Sequence, residues 1–543
     1  MFNNELWQKP TAAGAANFYT HQIANSCRLD GTGYLTDTRS SDGSTNHATI
    51  SIWFKRAALG SYQYLLETRV DGNNYVRLTI QADDTIEFQG EVGAAMIFEL
   101  ETTQVFRDTS AWYHFVGVLD FDNSTQADRA QMYINGERVT AFDTATYPSD
   151  TSKTMVLNTS DAMRLGASGY DGSYDWNGYL AEVVVIDGTA QAITDMGTSK
   201  NGVWIPDDPS SLTFGTNGFY LKFESSSDLG NDSSGNNHDF TLTNISTHDQ
   251  MLDSPTFGSS NGGNFATLGG LEKNSGGFTI SEGNLKYAVS TNNRGFIASQ
   301  GVPESGKYYW EVRVTQFGGT EDQIFLGVCD PDKSRGNLTA SRGGAETSGA
   351  GNYVFDNYNG RANLDGTAQS NDSIGHARSV PQIFGVAVDR DNNTFKWTYD
   401  GSSYSSTYAI PSTGVLAPFI GSGGGGNTAS GVFNFGADST FAGLVSAGGN
   451  ADENGYGDFS LAVPSGYVAL CAANLPVADA VDPAQTDDDY PQKLFNPIAY
   501  SGDGGGSFTT GYQPDLVWVK RRNGSQGNGL WDSSRGTTKV LNS

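Results

Sequence analysis

Short runs of alternating apolar and polar residues recur through most of this chain, roughly ten residues apart and broken by Gly and Asn turns. That pattern leaves room for little besides β-sheet. Successive side chains on a strand point to opposite faces, so alternation buries one face and wets the other. ATISIWFKR (48–56), YVRLTIQ (75–81), WYHFVGVLDF (112–121), AQMYINGE (130–137) and YLAEVVVID (179–187) form one series. Asp71-Gly72 and Asn135-Gly136 are the hairpin turns such a series needs. YYWEVRV (308–314), IFLGVCD (324–330), FGVAVDRDNNTFKWTYDG (384–401) and VFNFG (432–436) form a second. No long segment repeats its apolar residues at the helical period, although ITDMGTSKNG has room for one short helical turn. The expected fold is all-β, with two tandem antiparallel β-sandwiches whose strands are half-buried.

These series set the expected domains. Residues 1–26 are a polar N-terminal arm or docking segment carrying Trp7, Phe18 and Tyr19. Residues 27–195 form the first sandwich, 196–265 a connector and 266–475 the second sandwich. An acidic linker follows at 476–491, and 492–543 hold a partial C-terminal module with YQPDLVWVKRR (512–522). The glycine-rich stretches at 341–352 and 421–427 are surface excursions or loops that approach a ligand.

Charge narrows the partners. With 60 acidic against 32 basic residues the formal charge is −28, which repels phosphate backbones and anionic lipid. Nucleic acid is therefore not an expected partner, and the Lys520-Arg521-Arg522 triplet is too small to reverse that. No apolar run approaches the length of a membrane span, and the first residues lack a basic segment followed by an apolar core. Synthesis in the cytoplasm without export, and no membrane insertion, are expected. Cys27, Cys329 and Cys471 are odd in number and far apart, so neither a disulfide framework nor a zinc site is expected.

The first series resembles the laminin-G-like, concanavalin-type fold. The marks are Trp112 and His114 on one strand, Asn135-Gly136 ending another, and Gly178-Tyr179-Leu180 with Glu182 on the closing strand. The second series resembles a SPRY domain. Gly306 to Val312 resembles its signature strand, Phe384 to Asp389 its central strand and Phe433 to Gly436 its closing strand, although the glycine insertions are longer than usual. The whole assembly resembles bacteriophage tail-fibre or virion-surface proteins. In these the two modules precede a piece similar to Gly511–Arg522 and Trp531–Gly536, the start of a domain of unknown function. The resemblance implies a virion component that attaches to the host through a surface glycan or receptor. It also implies contact with other virion proteins through the N-terminal arm, and a homo-oligomer, commonly a trimer. A chain ending at Ser543 is then truncated or processed. The alternative is a structural or decorating protein of the phage head or tail; a polysaccharide depolymerase is a third reading. Exposed aromatic loops favour adhesion, and aromatics buried in both sandwiches favour a structural role.

Concanavalin-type folds also carry glycoside hydrolases, whose retaining members need two carboxyls about 5–5.5 Å apart. The nearest candidate, Glu87-Phe88-Gln89-Gly90-Glu91, lacks the acidic crowding of the glucanases, and Gly90 reads as a strand end. No catalytic residue is assigned and no enzyme is expected. His114 is expected to be structural with one hydrogen bond, and no HExxH motif occurs. The candidate ligand site is the loop SGYDGSYDWN (168–177). Tyr170, Tyr174 and Trp176 offer flat faces, and Asp171 and Asp175 offer acceptors, which is what sugar C–H faces and hydroxyls require. The competing reading is a turn whose aromatics pack onto the sheet. No cofactor is expected. Ca²⁺ could use the oxygen-rich turns Asp228–Asp239 and 389–394, but neither has the EF-hand pattern, and Asx-turns explain both.

Overall fold

The computed structural model describes residues 18–170, 173–200, 202–258, 261–269, 277–290, 294–318, 323–375, 379–412, 414–422, 428–476, 495–498, 513–521, 527–535 and 539–542. Its strands run in order as β1 Ser26–Asp30, β2 Tyr34–Thr38, β3 His47–Arg56, β4 Gln63–Asp71, β5 Asn74–Ile80 and β6 Ile86–Val92. They continue as β7 Ala95–Thr102, β8 Trp112–Asp120, β9 Ala130–Ile134, β10 Glu137–Arg138, β11 Phe142–Thr146, β12 Ala162–Leu165 and β13 Asn177–Asp187. Then come β14 Gly197–Lys200, β15 Val203–Pro206, β16 Phe219–Leu221, β17 Thr241–Thr243 and β18 Gln250–Met251. The fold is nearly all-β, with 43% strand against 5% helix, in several antiparallel sheets.

Two sheets make the first sandwich. One has the order β10-β9-β8-β3-β13-β1-β18 with β16 beside β13; the other has the order β11-β7-β6-β5-β4-β12-β2-β17. We call them the junction sheet and the open sheet. Between them lies a core that includes Phe54, Phe88, Phe98, Phe115, Trp176 and Leu180. The Phe88 ring meets Phe98 at 4.9 Å and Phe115 at 5.6 Å between centroids. Gly90 does not end its strand. β6 runs through it to Val92, and a Cβ there would lie 2.5 Å from the Phe98 ring, so the missing side chain makes room for that ring. The Asn135-Gly136 turn closes the β9–β10 hairpin with φ of 49° and 80°, the left-handed pair a two-residue hairpin needs.

The stretch 196–265 is more than a connector. β16, β17 and β18 finish the first sandwich by pairing with β13, β2 and β1. The sequence offered one plausible strand in this stretch, but strands of two or three residues are too short to show alternation, so their pairing was not legible.

The second sandwich has one sheet in the order Phe278–Ser281, Lys286–Val289, Thr428–Asn434, Lys307–Gly318, Gln382–Asp389, Thr394–Thr398 and Tyr408–Ala409. Opposite it stand Gly295–Ile297, Ala417–Ser422, Ile324–Cys329, Asn352–Asp356, Arg361–Leu364 and Thr367–Asn371. Near the C-terminus, Leu516–Val519, Gly529–Asp532 and Leu541–Asn542 form a small three-stranded sheet.

The outer face of the junction sheet is not wet, contrary to the half-buried expectation. Trp53, Trp112 and Tyr179 point out from it into one apolar cluster with Phe265, Leu285 and Tyr287 of the second half. Farther along, Met196, Phe214 and Tyr220 cover Val116, Val118, Val184 and Ile186, so β3 and β13 are buried on both faces along nearly their whole length. Charged groups cross the same boundary. Arg28 pairs with Asp249 at 3.0 Å and Asp438 at 3.2 Å, and the Tyr179 hydroxyl donates to Gly283 O at 2.7 Å. Burial works against the Arg28 charge, and the Asp438 and Asp249 carboxylates overcome it, so its pKa lies above the usual value. The described part of the N-terminal arm is docked here too. Phe18, Tyr19 and Ile23 join the cluster, and Ile23 N–H donates to Thr256 Oγ1 at 2.8 Å. Residues 1–17 and the linker from 477 lie outside the described residues.

Candidate functional site

With the junction sheet sealed, the first sandwich has one broad face left: the outer side of the open sheet. Alternation fixes what stands on it. Tyr64, Glu67 and Arg69 of β4 share that side because a bulge between Tyr64 and Leu66 resets the register. Tyr75, Arg77 and Thr79 of β5 stand beside them, followed by Glu87, Gln89 and Glu91 of β6, with Glu67, Arg77 and Gln89 in one cross-strand row. Their partners Leu66, Val76, Leu78 and Phe88 face the core.

The side chains on this face are stacked. Arg69 lies 5.0 Å from the Tyr170 ring centroid and 5.7 Å from that of Tyr75. Arg77 lies 4.8 Å from Tyr75 and 5.9 Å from Tyr64. Tyr174 then meets Tyr62 edge-on at 5.2 Å and Tyr64 at 6.2 Å. The result is a ladder of alternating guanidinium and tyrosine groups, with a tyrosine cluster at one end. Each guanidinium–ring contact contributes about 0.5–1 kcal/mol at an exposed site, so the ladder holds itself flat.

The 168–177 loop, between β12 and β13, supplies the two outermost rings. Tyr170 is 75% exposed and Tyr174 56%. Glu67 anchors the loop by accepting the Gly169 N–H at 2.5 Å, and Arg164 Nη1 donates to Ser168 O at 2.6 Å. At the far end, Tyr64 N–H donates to Tyr174 O at 3.0 Å. Tyr174 has φ of 60°, a left-handed conformation that a bulky residue adopts only under constraint, at a cost of order 1–3 kcal/mol.

Three of the five sequence candidates are thereby on the surface side: Tyr170 and Tyr174 are exposed and Asp175 is half-buried. Asp171 lies outside the described residues. Trp176 is corrected: it is fully buried, edge-on to Phe54 at 5.8 Å, and serves the core. It sits one step before β13, and its ring fills the space above Gly178, where a Cβ would lie 2.9 Å from it. The sequence reading missed Tyr62, Tyr64, Tyr75, Arg69 and Arg77. For Tyr75 and Arg77 the signal was available, because they occupy alternate positions of a strand whose other positions are aliphatic, whereas Tyr62 precedes β4 and the bulge breaks the alternation after Tyr64.

Glu87 and Glu91 share the face. Gln89 stands between them and donates to Glu87, while the Tyr75 hydroxyl donates to Glu91 Oε2 at 3.0 Å and lies 3.3 Å from Gln89 Oε1. Burial pushes the Glu67 and Glu87 carboxyls above their usual value. His114 has two hydrogen-bond partners where one was expected, Ser51 Oγ at 2.7 Å and Trp204 Nε1 at 2.8 Å. The oxygen-rich turns close on themselves. Asp232 accepts Tyr220, Ser234 and His238 N–H groups, and Asp389 takes Asn392 and Lys307. Among the described residues no group of three or more His, Cys, Asp or Glu is placed to hold a metal ion, and no helix is long and apolar enough to cross a membrane. A separate cleft of 210 Å³ opens beside β9 and β11, lined by Met132, Val139, Phe142 and Tyr147 among others.

Residues 29–192 match the family described as the concanavalin A-like lectin/glucanases superfamily, and residues 307–438 match the SPRY domain. Residues 490–543 match a domain of unknown function (DUF7483). The chain thus carries a concanavalin-like domain followed by a SPRY domain. Among solved structures it is similar to a heptameric SAP-like pentraxin from Limulus polyphemus, at 15% identity over 32% of this chain and 81% of that one, TM-score 0.25. It is also similar to the SPRY domain of human HERC1, at 13% identity over 30% of this chain and 92% of that one, TM-score 0.23. A third is the Ruminococcus gnavus IT-sialidase CBM40 bound to alpha2,3 sialyllactose, at 16% identity over 31% of this chain and 93% of that one, TM-score 0.23. No curated protein matches the chain.

Proposed function

We propose that this chain is a non-enzymatic adhesive protein of a bacteriophage particle that holds a host surface glycan on the open sheet of its first sandwich. The observation that carries the reading is the asymmetry of that sandwich. One sheet is covered by the second half and by the 190–220 stretch, while the other carries a ladder of tyrosine and arginine in which Tyr64 and Tyr75 are buried and Tyr170 and Tyr174 are exposed. Ring faces beside hydrogen-bonding edges are what a sugar requires, and exposed rather than buried aromatics are what separates an adhesin from an internal structural subunit. The module order, with a concanavalin-like domain, then a SPRY domain, then the C-terminal piece, supports placement on a virion. The net charge of −28 favours mutual repulsion of copies crowded on one particle. Weak sites of this kind gain strength when several copies engage at once.

The test is binding of the purified chain to candidate host cells before and after removal of their surface glycans. Saturable binding that disappears with the glycan supports the reading. Binding indifferent to glycan removal sends the search to a protein receptor, and none at micromolar concentration sends it to partners within the particle. Reducing ends released from the same glycan would identify a depolymerase instead.

A further inference from the structure

We infer that the open sheet takes an internal stretch of an uncharged, hydroxyl-rich polysaccharide lying along β4, and not a terminal or acidic sugar. The inference rests on the glycan-binding reading above and gives it a ligand class.

The first argument is spacing. The two exposed rings stand at opposite ends of one strand. Tyr174 packs on Tyr64 near the start of β4, and Tyr170 packs over Arg69 near its end. Tyr64 and Arg69 are five residue steps apart, four once the bulged residue is discounted, which is roughly 13–16 Å at the strand rise. One sugar ring cannot reach both tyrosines. A chain laid along the strand reaches both and passes the half-buried Arg77 on the way. Among the described residues both terminal rings protrude, at 75% and 56% exposure, so neither is the floor of an enclosed end pocket.

The second argument is charge. An acidic sugar needs a cation with unused valence; two of the three arginines described on this face are paired with carboxylates, and the third, Arg164 opposite Glu67 on β12, donates Nη1 to Ser168 O and stacks 5.0 Å from the Tyr34 ring. Arg69 pairs with Glu67 at 3.4 Å, and Arg77 lies 3.8 Å from Glu87 and donates to the Tyr64 hydroxyl at 3.3 Å. The next strand adds Glu99 and Glu101, which sit opposite Gln89 and Glu87 on the same side. A polyanion would meet these carboxylates and a chain of net charge −28, whereas neutral hydroxyls can donate to the same carboxylate oxygens.

The experiment uses the full chain and the surface polysaccharide released from cells to which it adsorbs. Its size-fractionated fragments, its constituent monosaccharides and alginate, a carboxylated comparator, are measured as competitors of adsorption. The expected result is affinity that climbs with fragment length and then levels off, with monosaccharides and alginate failing to compete. Tyr170→Ala and Tyr174→Ala should each weaken the longest fragments about tenfold. Both side chains are largely in solvent, and an unchanged melting temperature certifies the fold. Monosaccharides that compete as well as the polymer, residue for residue, overturn the inference while leaving the glycan reading intact. So does competition by alginate, or a released polysaccharide that is itself acidic. Adsorption unaffected by glycan removal overturns the reading and this inference together.

Discussion

Lys55 Nζ lies 2.7 Å from Asp253 Oδ2, and neither side chain reaches solvent. The pair stands where β3 meets the stretch leading into the second sandwich. Nζ also donates to Asn264 Oδ1 at 2.7 Å and Phe265 O at 3.0 Å, while Asp253 Oδ1 accepts the Trp112 indole N–H at 2.9 Å. Every ammonium proton and both carboxylate oxygens are thus engaged, which is the condition under which a buried ion pair holds. Burial still pushes the Asp253 carboxyl above its usual value. The junction therefore acts as a second core, and among the described residues that leaves the open sheet as the broad outer face of the first sandwich.

Lys55→Met should accordingly be expensive. It leaves the Asp253 carboxylate buried with its counter-charge gone, a loss of about 3–5 kcal/mol. Arg138→Met removes a pair of similar length, 2.6 Å to Asp128, but at 40% and 31% side-chain exposure, and should cost no more than about 1 kcal/mol. Denaturant titration of both variants measures the contrast. Equal losses would mean that the junction is not a sealed interior.

His114 should make the protein acid-sensitive. Trp204 donates to its Nδ1, so the ring proton sits on Nε2 and is donated to Ser51 Oγ. Burial drives the pKa down to about 3. A folded-state value below the unfolded one gives stability that is complete above about pH 6.5 and drains away as pH falls toward 3. Relative to His114→Gln, wild type should lose roughly 3–4 kcal/mol across that window. Melting curves at pH 7 and pH 4 read it, and a constant gap between the two proteins would refute it.

Glu311, in the second sandwich, should act with the opposite sign. Its carboxylate accepts Ser460 N–H at 2.9 Å and Leu461 N–H at 2.6 Å, yet desolvation outweighs them and pushes it up to about 7. Here the folded value exceeds the unfolded one, so the contribution is complete below about pH 4.5 and is lost as pH rises through 7. Wild type should lose about 3 kcal/mol relative to Glu311→Gln between pH 4.5 and 8, where His114 has ceased to vary above 6.5. Thermal melts of the two proteins at those pH values decide it.

How far these features were legible follows from strand geometry. Alternation exposed the two sandwiches, because a run such as YVRLTIQ declares a wet and a dry face. The unbroken VVVI of β13 already hinted at burial on both faces; Val183 and Val185 enter the core, and Val184 and Ile186 are covered by Met196, Phe214 and Tyr220. Trp176 misled because a loop composition of Tyr, Asp and Gly looks alike whether a ring points out or in; the β13 register decides, and it turns Trp176 inward. The guanidinium–tyrosine ladder was unreadable as a unit, since Arg69, Arg77 and Tyr170 come together only through pairing across β4, β5 and the β12–β13 loop.

Glu67 gives the sharpest check on the site. Its side chain is fully buried, so it touches no ligand; its role is to hold the Gly169 N–H and, through it, the loop that carries Tyr170. Glu67→Ala should free that amide and let the loop swing, at a stability loss of about 1–3 kcal/mol for the orphaned donor and the gap. Hydrogen exchange at Gly169 should then accelerate, and adsorption to host glycan should weaken although no contacting residue has changed. Tyr170→Ala should weaken adsorption by a similar factor with Gly169 exchange unaltered, because the ring lies outside the Glu67 hydrogen bond. Exchange that is the same in Glu67→Ala as in wild type would show that the loop is held by its own turn and by Arg164, and the positioning role of Glu67 would fall.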